Sequence, residues 1–435
     1  MKNIVFYLSI IIIAIGCVEP INQAYTKLPP GIWRGELHLD NTPRVYSVED
    51  EYVVDDYTEN ELPFTFEVIY TSEDSFYIEF INGEERLRSE KIVYGRDKET
   101  AKDTVIIDFP TFDTYIKAIY EDDVMEGDYY VNYRKNYKVP FKAFHGQSHR
   151  FTTLKQNPVT DISGKWEVKF EVGTEDEYPA IGEFKQDGNH LLGTFMTETG
   201  DYRFLEGTIQ ENKLFLSTFD AAHAFLFSGK ILEDGSITGL FKSGKHYTTS
   251  WEARRNEDAN LKNAFDLTKN QMDTPINIAF PNTDGDTISL TDQKFQGKIK
   301  LVKITGTWCP NCKDETDFLV EYLAKNQSDE VEVIEVAFER YAEDEKNLQI
   351  LKRYEQNNNL PFTILYGGQA SKTLATEKFP MLDKIISFPT LLFVDKANIV
   401  RKVHTGFAGP ATSGYQDFKA EFEATINELK NQREI

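Results

Sequence analysis

Lys300-Leu301-Val302-Lys303-Ile304-Thr305-Gly306-Thr307-Trp308-Cys309-Pro310-Asn311-Cys312 decides how the C-terminal third of this chain is read. An apolar, β-branched run ends in two cysteines separated by two residues, and a helical period follows from Pro310 to about Lys325. The motif therefore sits where a strand enters a helix. Cys309 takes the N-cap, Pro310 the first helical position, Asn311 the second and Cys312 the third. Proline suits that first position because its missing N–H would have no partner there. The N-cap sulfur faces free backbone N–H groups and the positive end of the helix dipole, which favour a thiolate. Thiolate is the attacking species in disulfide exchange. This geometry makes Cys309 the nucleophile and Cys312, one turn inside, the resolving thiol.

Cysteine arithmetic narrows the chemistry. The 435 residues contain three cysteines, and the third, Cys17, lies far away in sequence. A four-cysteine zinc site is excluded, and no His-x3–5-His pair lies in the C-terminal region. His145 and His149 stand four apart, but in the preceding region. No metal ligands and no cofactor are assigned.

The flanking pattern alternates strands with helices. Strands are expected at 300–305, 331–338, 361–366, 390–395 and 399–404. Helices are expected at 310–325, 343–356, 371–379 and 415–431, the last carrying Phe418, Phe422, Ile426 and Leu429 on one face. Such alternation predicts a three-layer α/β domain over 275–435. Residues 257–274 are polar and read as a linker.

Upstream, residues 28–256 are rich in alternating Tyr, Phe, Val, Ile and Thr, punctuated by turn signals such as Asn82-Gly83 and Asp234-Gly235. Gly31-Ile32-Trp33 recurs as Gly164-Lys165-Trp166. Thr111-Phe112-Asp113 recurs as Thr218-Phe219-Asp220, and Phe141-Lys142-Ala143 as Trp251-Glu252-Ala253. The expectation is a duplicated antiparallel β region, 28–156 and 157–256. Each copy would curl into a barrel- or sandwich-like unit to remove its edges. The fold class is thus α+β and multidomain.

The N-terminus reads as an export signal. Lys2 precedes an apolar run, Ile4 to Ile15, that is short for a membrane span but suited to a signal peptide. Ala14-Ile15-Gly16-Cys17 resembles a bacterial lipobox, which implies a signal peptide over 1–16, lipidation of Cys17 and a tether over 17–27. The expected location is the cell envelope, facing the periplasm, where disulfides are permitted. The net charge of −23 disfavours nucleic acid and polybasic membrane contact.

The Gly306–Cys312 motif after its strand resembles the active-site segment of the thioredoxin superfamily, and within it the TlpA/ResA-like thiol–disulfide oxidoreductases. Ile278-Ala279-Phe280 with Asp284–Leu290 is similar to that group's extra hairpin. Glu315 stands where the group carries an acid near the inner cysteine, and the stretch before Ser387 is long enough for its inserted helix–strand unit. Ser387-Phe388-Pro389-Thr390 resembles its cis-proline loop. The resemblance covers about 275–433 and leaves the β-rich region unrecognised. It implies a cis Pro389 that sets the Phe388 backbone beside Cys309. It also implies a Trp308 that shields the disulfide and a Glu315 that accepts a proton from Cys312 or tunes it. Its partners would be disulfide-containing client proteins and an upstream thiol reductant.

Lys303 departs from the pattern, since thioredoxin has a buried acid there; a pairing of Lys303 with Glu315 is one expectation. Three alternatives remain. A thiol peroxidase would need proline and threonine where Val302 and Gly306 stand. A copper chaperone could use the cysteines with His404. A partner-binding role could fall to the β-rich half, where Tyr129, Tyr130 and Tyr133 form an aromatic group.

Overall fold

The computed structural model describes residues 27–40, 60–89, 91–99, 101–326 and 329–432. The leader, Cys17 and nearly all of the tether lie outside the described residues. No helix among the described residues is long and apolar enough to cross a membrane.

Residues 31–145 form a nine-stranded antiparallel sheet that opens on Gly31–His38 and closes on Lys138–His145, with these two strands paired at its centre. Residues 164–255 form a second nine-stranded sheet, in which Tyr178–Asp187 pairs with His190–Thr197 and thereby closes the sheet into a barrel. The duplication is exact in register at the point of closure. Gly35 faces Ala143 in the first sheet and Val168 faces Ala253 in the second, each two residues beyond the repeated tryptophan. Both tryptophans donate from the indole to the carbonyl four residues earlier, Trp33 to Pro29 at 3.2 Å and Trp166 to Ile162 at 2.9 Å. The preceding glycines, Gly31 and Gly164, have φ of 105° and 115°, a region that disfavours any side chain.

Among the described residues, the outer strands of the first sheet do not pair with each other. Its core is completed by Phe219, Ala221, Ala224 and Leu226 of the second sheet, packed with Phe64, Phe80 and Phe109. Arg150, in the segment between them, is buried and donates to Ser217 Oγ, Asn82 Oδ1 and Glu206 Oε2. Burying that apolar seam is what makes one unit of the two copies.

Residues 279–431 contain a small hairpin and a five-stranded sheet. The central strand Ile299–Thr305 runs parallel to Val331–Glu339, which is parallel to Thr363–Gln369. On its other side it is antiparallel to Thr390–Val394, followed by Val400–Thr405. Helices α1 (Pro310–Lys325), α2 (Asp344–Asn358) and α4 (Gly414–Asn431) cover one face, α1 and α4 through Phe318, Leu319, Phe422 and Ile426. Helix α3 (Lys372–Lys378) and the hairpin cover the other through Ala375, Phe280 and Phe379. This is the three-layer arrangement expected from the alternating pattern, and its sheet order is that of a thioredoxin-like domain. Residues 257–274 are mostly irregular, with a single 3-10 turn at Ala264–Asp266.

Candidate active site

Helix α1 begins on Cys309, whose extended backbone (φ −108°, ψ 110°) lets its Sγ accept from the N–H of Cys312 at 3.3 Å. This satisfies one of the helix's free donors and points the sulfur along the dipole. The Phe388–Pro389 peptide is cis, and the Phe388 carbonyl accepts from Cys309 Sγ at 3.6 Å. Both thiols are free. Burial pushes the Cys312 thiol well up and the adjacent Cys309 adds to it, while Lys303 opposes both. Cys312 is accordingly kept as a neutral thiol until something takes its proton.

Beneath α1, the buried Lys303 ammonium donates to the Cys312 carbonyl at 2.6 Å, to Thr316 Oγ1 at 2.5 Å and to Glu335 Oε1 at 2.8 Å. Lys303 therefore pairs with Glu335 of the neighbouring parallel strand, not with Glu315. The pairing follows from the sheet, because Lys303 and Glu335 are directly opposite in register. Glu315 is fully buried and neither carboxyl oxygen has a hydrogen-bond partner. Burial raises its pKa to about 8, with Lys303 opposing and Glu335 reinforcing. It stands three positions after Cys312, so both lie on one face of α1.

The loop before Cys309 is clamped from the strand Val331–Glu339. Glu339 accepts from the Thr307 N–H at 2.9 Å and from its hydroxyl at 2.8 Å. Burial raises the Glu339 pKa to about 7 against those two bonds. Trp308 donates to the Phe338 carbonyl at 2.9 Å and sets its ring edge-on to Phe388, with centroids 5.8 Å apart. The Arg340 guanidinium lies over the Trp308 ring at 3.7 Å. Glu335, Glu339 and Arg340 were not singled out in the sequence. The only available signal was the presence of Glu335 and Glu339 in an otherwise mostly apolar strand.

The β-rich half reaches the same face. Ser387 Oγ donates to the Thr199 carbonyl at 3.0 Å, and Asn311 Nδ2 to the Asp201 carbonyl at 3.4 Å. A Cβ at Gly200 would collide with the Asn311 amide, and one at Gly406 with the Thr199 backbone. Arg203, buried, is paired with Asp314 of α1 and with Glu85, and its Nε stands 3.2 Å from Asp220. The segment Thr199–Arg203 thus touches Asn311 between the cysteines, Asp314 of α1 and Ser387 beside the cis peptide. Cys309 is only 8% exposed. The segment beside it comes from another part of the chain, which no local pattern announces.

His404 is buried with its ring against Phe265 and Phe418, at 5.0 and 4.8 Å, and burial lowers its pKa to about 4. Among the described residues, no group of three or more His, Cys, Asp and Glu side chains is placed to hold a metal. Tyr129, one of the aromatic group weighed as a partner surface, is buried, with its hydroxyl donating to the Ala221 carbonyl at 3.0 Å.

Residues 272–403 match the AhpC/TSA family. No curated protein matches the chain. Solved structures to which it is similar include a thiol:disulfide interchange protein of the thioredoxin family from Chlorobium tepidum, at 21% identity. That match covers 37% of this chain and 99% of that one, with a TM-score of 0.28. StoA from Bacillus subtilis is 21% identical, with 34% and 98% covered and a TM-score of 0.25. A thiol-disulfide isomerase from Corynebacterium glutamicum is 13% identical, with 37% and 98% covered and a TM-score of 0.30. The sheet order makes the C-terminal part of this chain a thioredoxin-like domain, within which residues 272–403 carry the AhpC/TSA match.

Proposed function

We propose that the protein is an exported, lipid-anchored disulfide reductase. The observation that carries the reading is the N-cap placement of Cys309, with its sulfur between the Cys312 N–H and the Phe388 carbonyl. The Cys309 thiolate attacks one sulfur of a client disulfide, expels the other as a thiolate and leaves a mixed disulfide. Cys312 then gives up its proton and attacks Cys309 Sγ, which releases the second client sulfur. Two electrons pass to the client, and the pair ends as a disulfide that an upstream dithiol must reduce.

Glu315 is the proton acceptor for Cys312 in this scheme. A buried carboxyl with a pKa of about 8 is suited to both taking and returning a proton near neutrality. Trp308 shields the pair, Pro310 and Asn311 set the helix start, and Pro389 holds the Phe388 backbone in place. Domain limits at 28–156, 157–256 and 275–435 belong to the same proposal, as does attachment through a lipid on Cys17. The test is reduction of insulin disulfides by the reduced protein, together with trapping of clients by Cys312→Ser. If both single cysteine variants keep full activity, the reading falls.

The AhpC/TSA match supports a second reading, peroxide reduction. Val302 and Gly306 stand against it, since they occupy the positions where a peroxidase would carry proline and threonine. Consumption of hydrogen peroxide with dithiothreitol as reductant separates the two. A reductase turns over insulin and leaves peroxide unchanged.

A further inference from the structure

A cavity of about 400 Å³ opens where the two β sheets and the α/β domain meet. Tyr133, Arg134 and Tyr137 come from the turn joining Val124–Val131 to Lys138–His145. The second sheet supplies His223, Phe225, Phe241 and Tyr247, and the α/β domain supplies Trp308 and Arg340. Its size falls in the range of small-molecule sites, roughly 300–1,000 Å³.

The lining is unusual for this chain. Acidic residues outnumber basic ones by 71 to 48, yet no carboxylate lines the cavity, which holds two arginines, two histidines, six tyrosines, two phenylalanines and a tryptophan. Neither arginine has a carboxylate within ion-pair distance among the described residues. Arg340 lies over Trp308 at 3.7 Å and over Tyr133 at 5.9 Å. Arg134 is 5.4 Å from the Tyr137 ring centre and donates to His246 Nε2 at 3.2 Å. Burial and the two neighbouring arginines keep His246 neutral, so it acts as an acceptor and adds no charge.

Two guanidinium groups without carboxylate partners, framed by aromatic faces, are complementary to a negative group on a flat, unsaturated body. The guanidinium forks bind the charge and the rings stack on the body. We propose that this cavity binds a small planar organic anion. The site does not rest on the thiol chemistry, but it touches it. Its wall is Trp308, which packs on Phe388, the residue whose carbonyl contacts Cys309.

The test is titration of the full chain with 8-anilinonaphthalene-1-sulfonate, followed by probe fluorescence and equilibrium dialysis. One saturable site per chain is expected. The pair Arg134→Met and Arg340→Met should weaken it about tenfold or more, a loss of about 1.4 kcal/mol or more. The pair Arg134→Lys and Arg340→Lys keeps both charges and should weaken it less. Neutral N-phenyl-1-naphthylamine should bind more weakly than the sulfonate. The proposal is overturned by an absence of saturable binding, by methionine and lysine pairs that bind alike, or by a neutral amine that binds as tightly. No thiol turnover enters these readouts, so their outcome is independent of the reductase assay.

Discussion

Lys303 and Arg203 are both buried cations that hold α1, and they come from different halves of the chain. Lys303 lies in the α/β domain's central strand and bonds the Cys312 carbonyl, Thr316 and Glu335. Arg203 lies in the second β sheet and pairs with Asp314 of the same helix, while Glu85 and Asp220 complete its surroundings within the β-rich half. One fastens the cysteine helix to its own sheet. The other fastens a foreign segment across it. The cysteine helix is thus held from within the α/β domain by Lys303 and from the β-rich half by Arg203.

The sharpest way to break this comparison is to remove the chemistry alone. Cys309→Ser should abolish insulin reduction and leave the interface intact, so the denaturation midpoint should stay near wild type. An active Cys309→Ser protein would show that the α/β domain does not carry the reaction in the manner described.

The next effect belongs to the interface. Arg203→Met leaves the buried Asp314 and Glu85 without their cation and Asp220 with His223 alone, which costs about 3–5 kcal/mol in comparable buried networks. Urea unfolding should show this as a large fall in stability. A change under about 1 kcal/mol, as at exposed ion pairs, would mean that the β-rich half is not fastened through Arg203.

Glu315 separates the halves by pH. Its carboxyl ionises near 4.5 in the unfolded chain and at about 8 in the fold. Between those values the native state holds the extra proton. Its contribution is therefore greatest at low pH and lost as pH rises through the window, by roughly 1.4 kcal/mol per pH unit. Glu315→Gln should flatten that fall and stabilise the protein at pH 8 relative to wild type. Unfolding curves at pH 5 and pH 8 check it, and an unchanged pH slope would remove Glu315 from the buried titrating groups.

The smallest expected effect concerns the cover. Gly200→Val places a side chain against the Asn311 amide and should lift the Thr199–Arg203 segment. Alkylation of Cys309 by iodoacetamide should then accelerate several-fold, an order of 1 kcal/mol. An unchanged rate would mean that this segment does not limit access.

Much of the α/β domain was legible because its signals are local. The helix expected over 310–325 is Pro310–Lys325, and the strand expected over 331–338 is Val331–Glu339. Strand ends were less legible: the strand expected over 361–366 runs from Thr363 to Gln369, where positive φ at Gly368 is tolerated at its end. The repeated tryptophans marked the duplication, since each occupies the same place in register. The cover escaped notice because Arg203 and Asp314, or Thr199 and Ser387, are more than a hundred residues apart and share no period.

By itself the sequence determined the order of strands and helices and the one close cysteine pair, set at a helix start. These depend on neighbours within a few residues, where propensity, capping and alternation act. Tertiary structure alone decided that Lys303 meets Glu335, that Glu315 is left unpaired, that Cys309 is covered and that two arginines face an aromatic cavity. Those are long-range burial events. Side chains from distant segments are forced together when the sheets close and pack, and their partners are set by shape rather than by spacing along the chain.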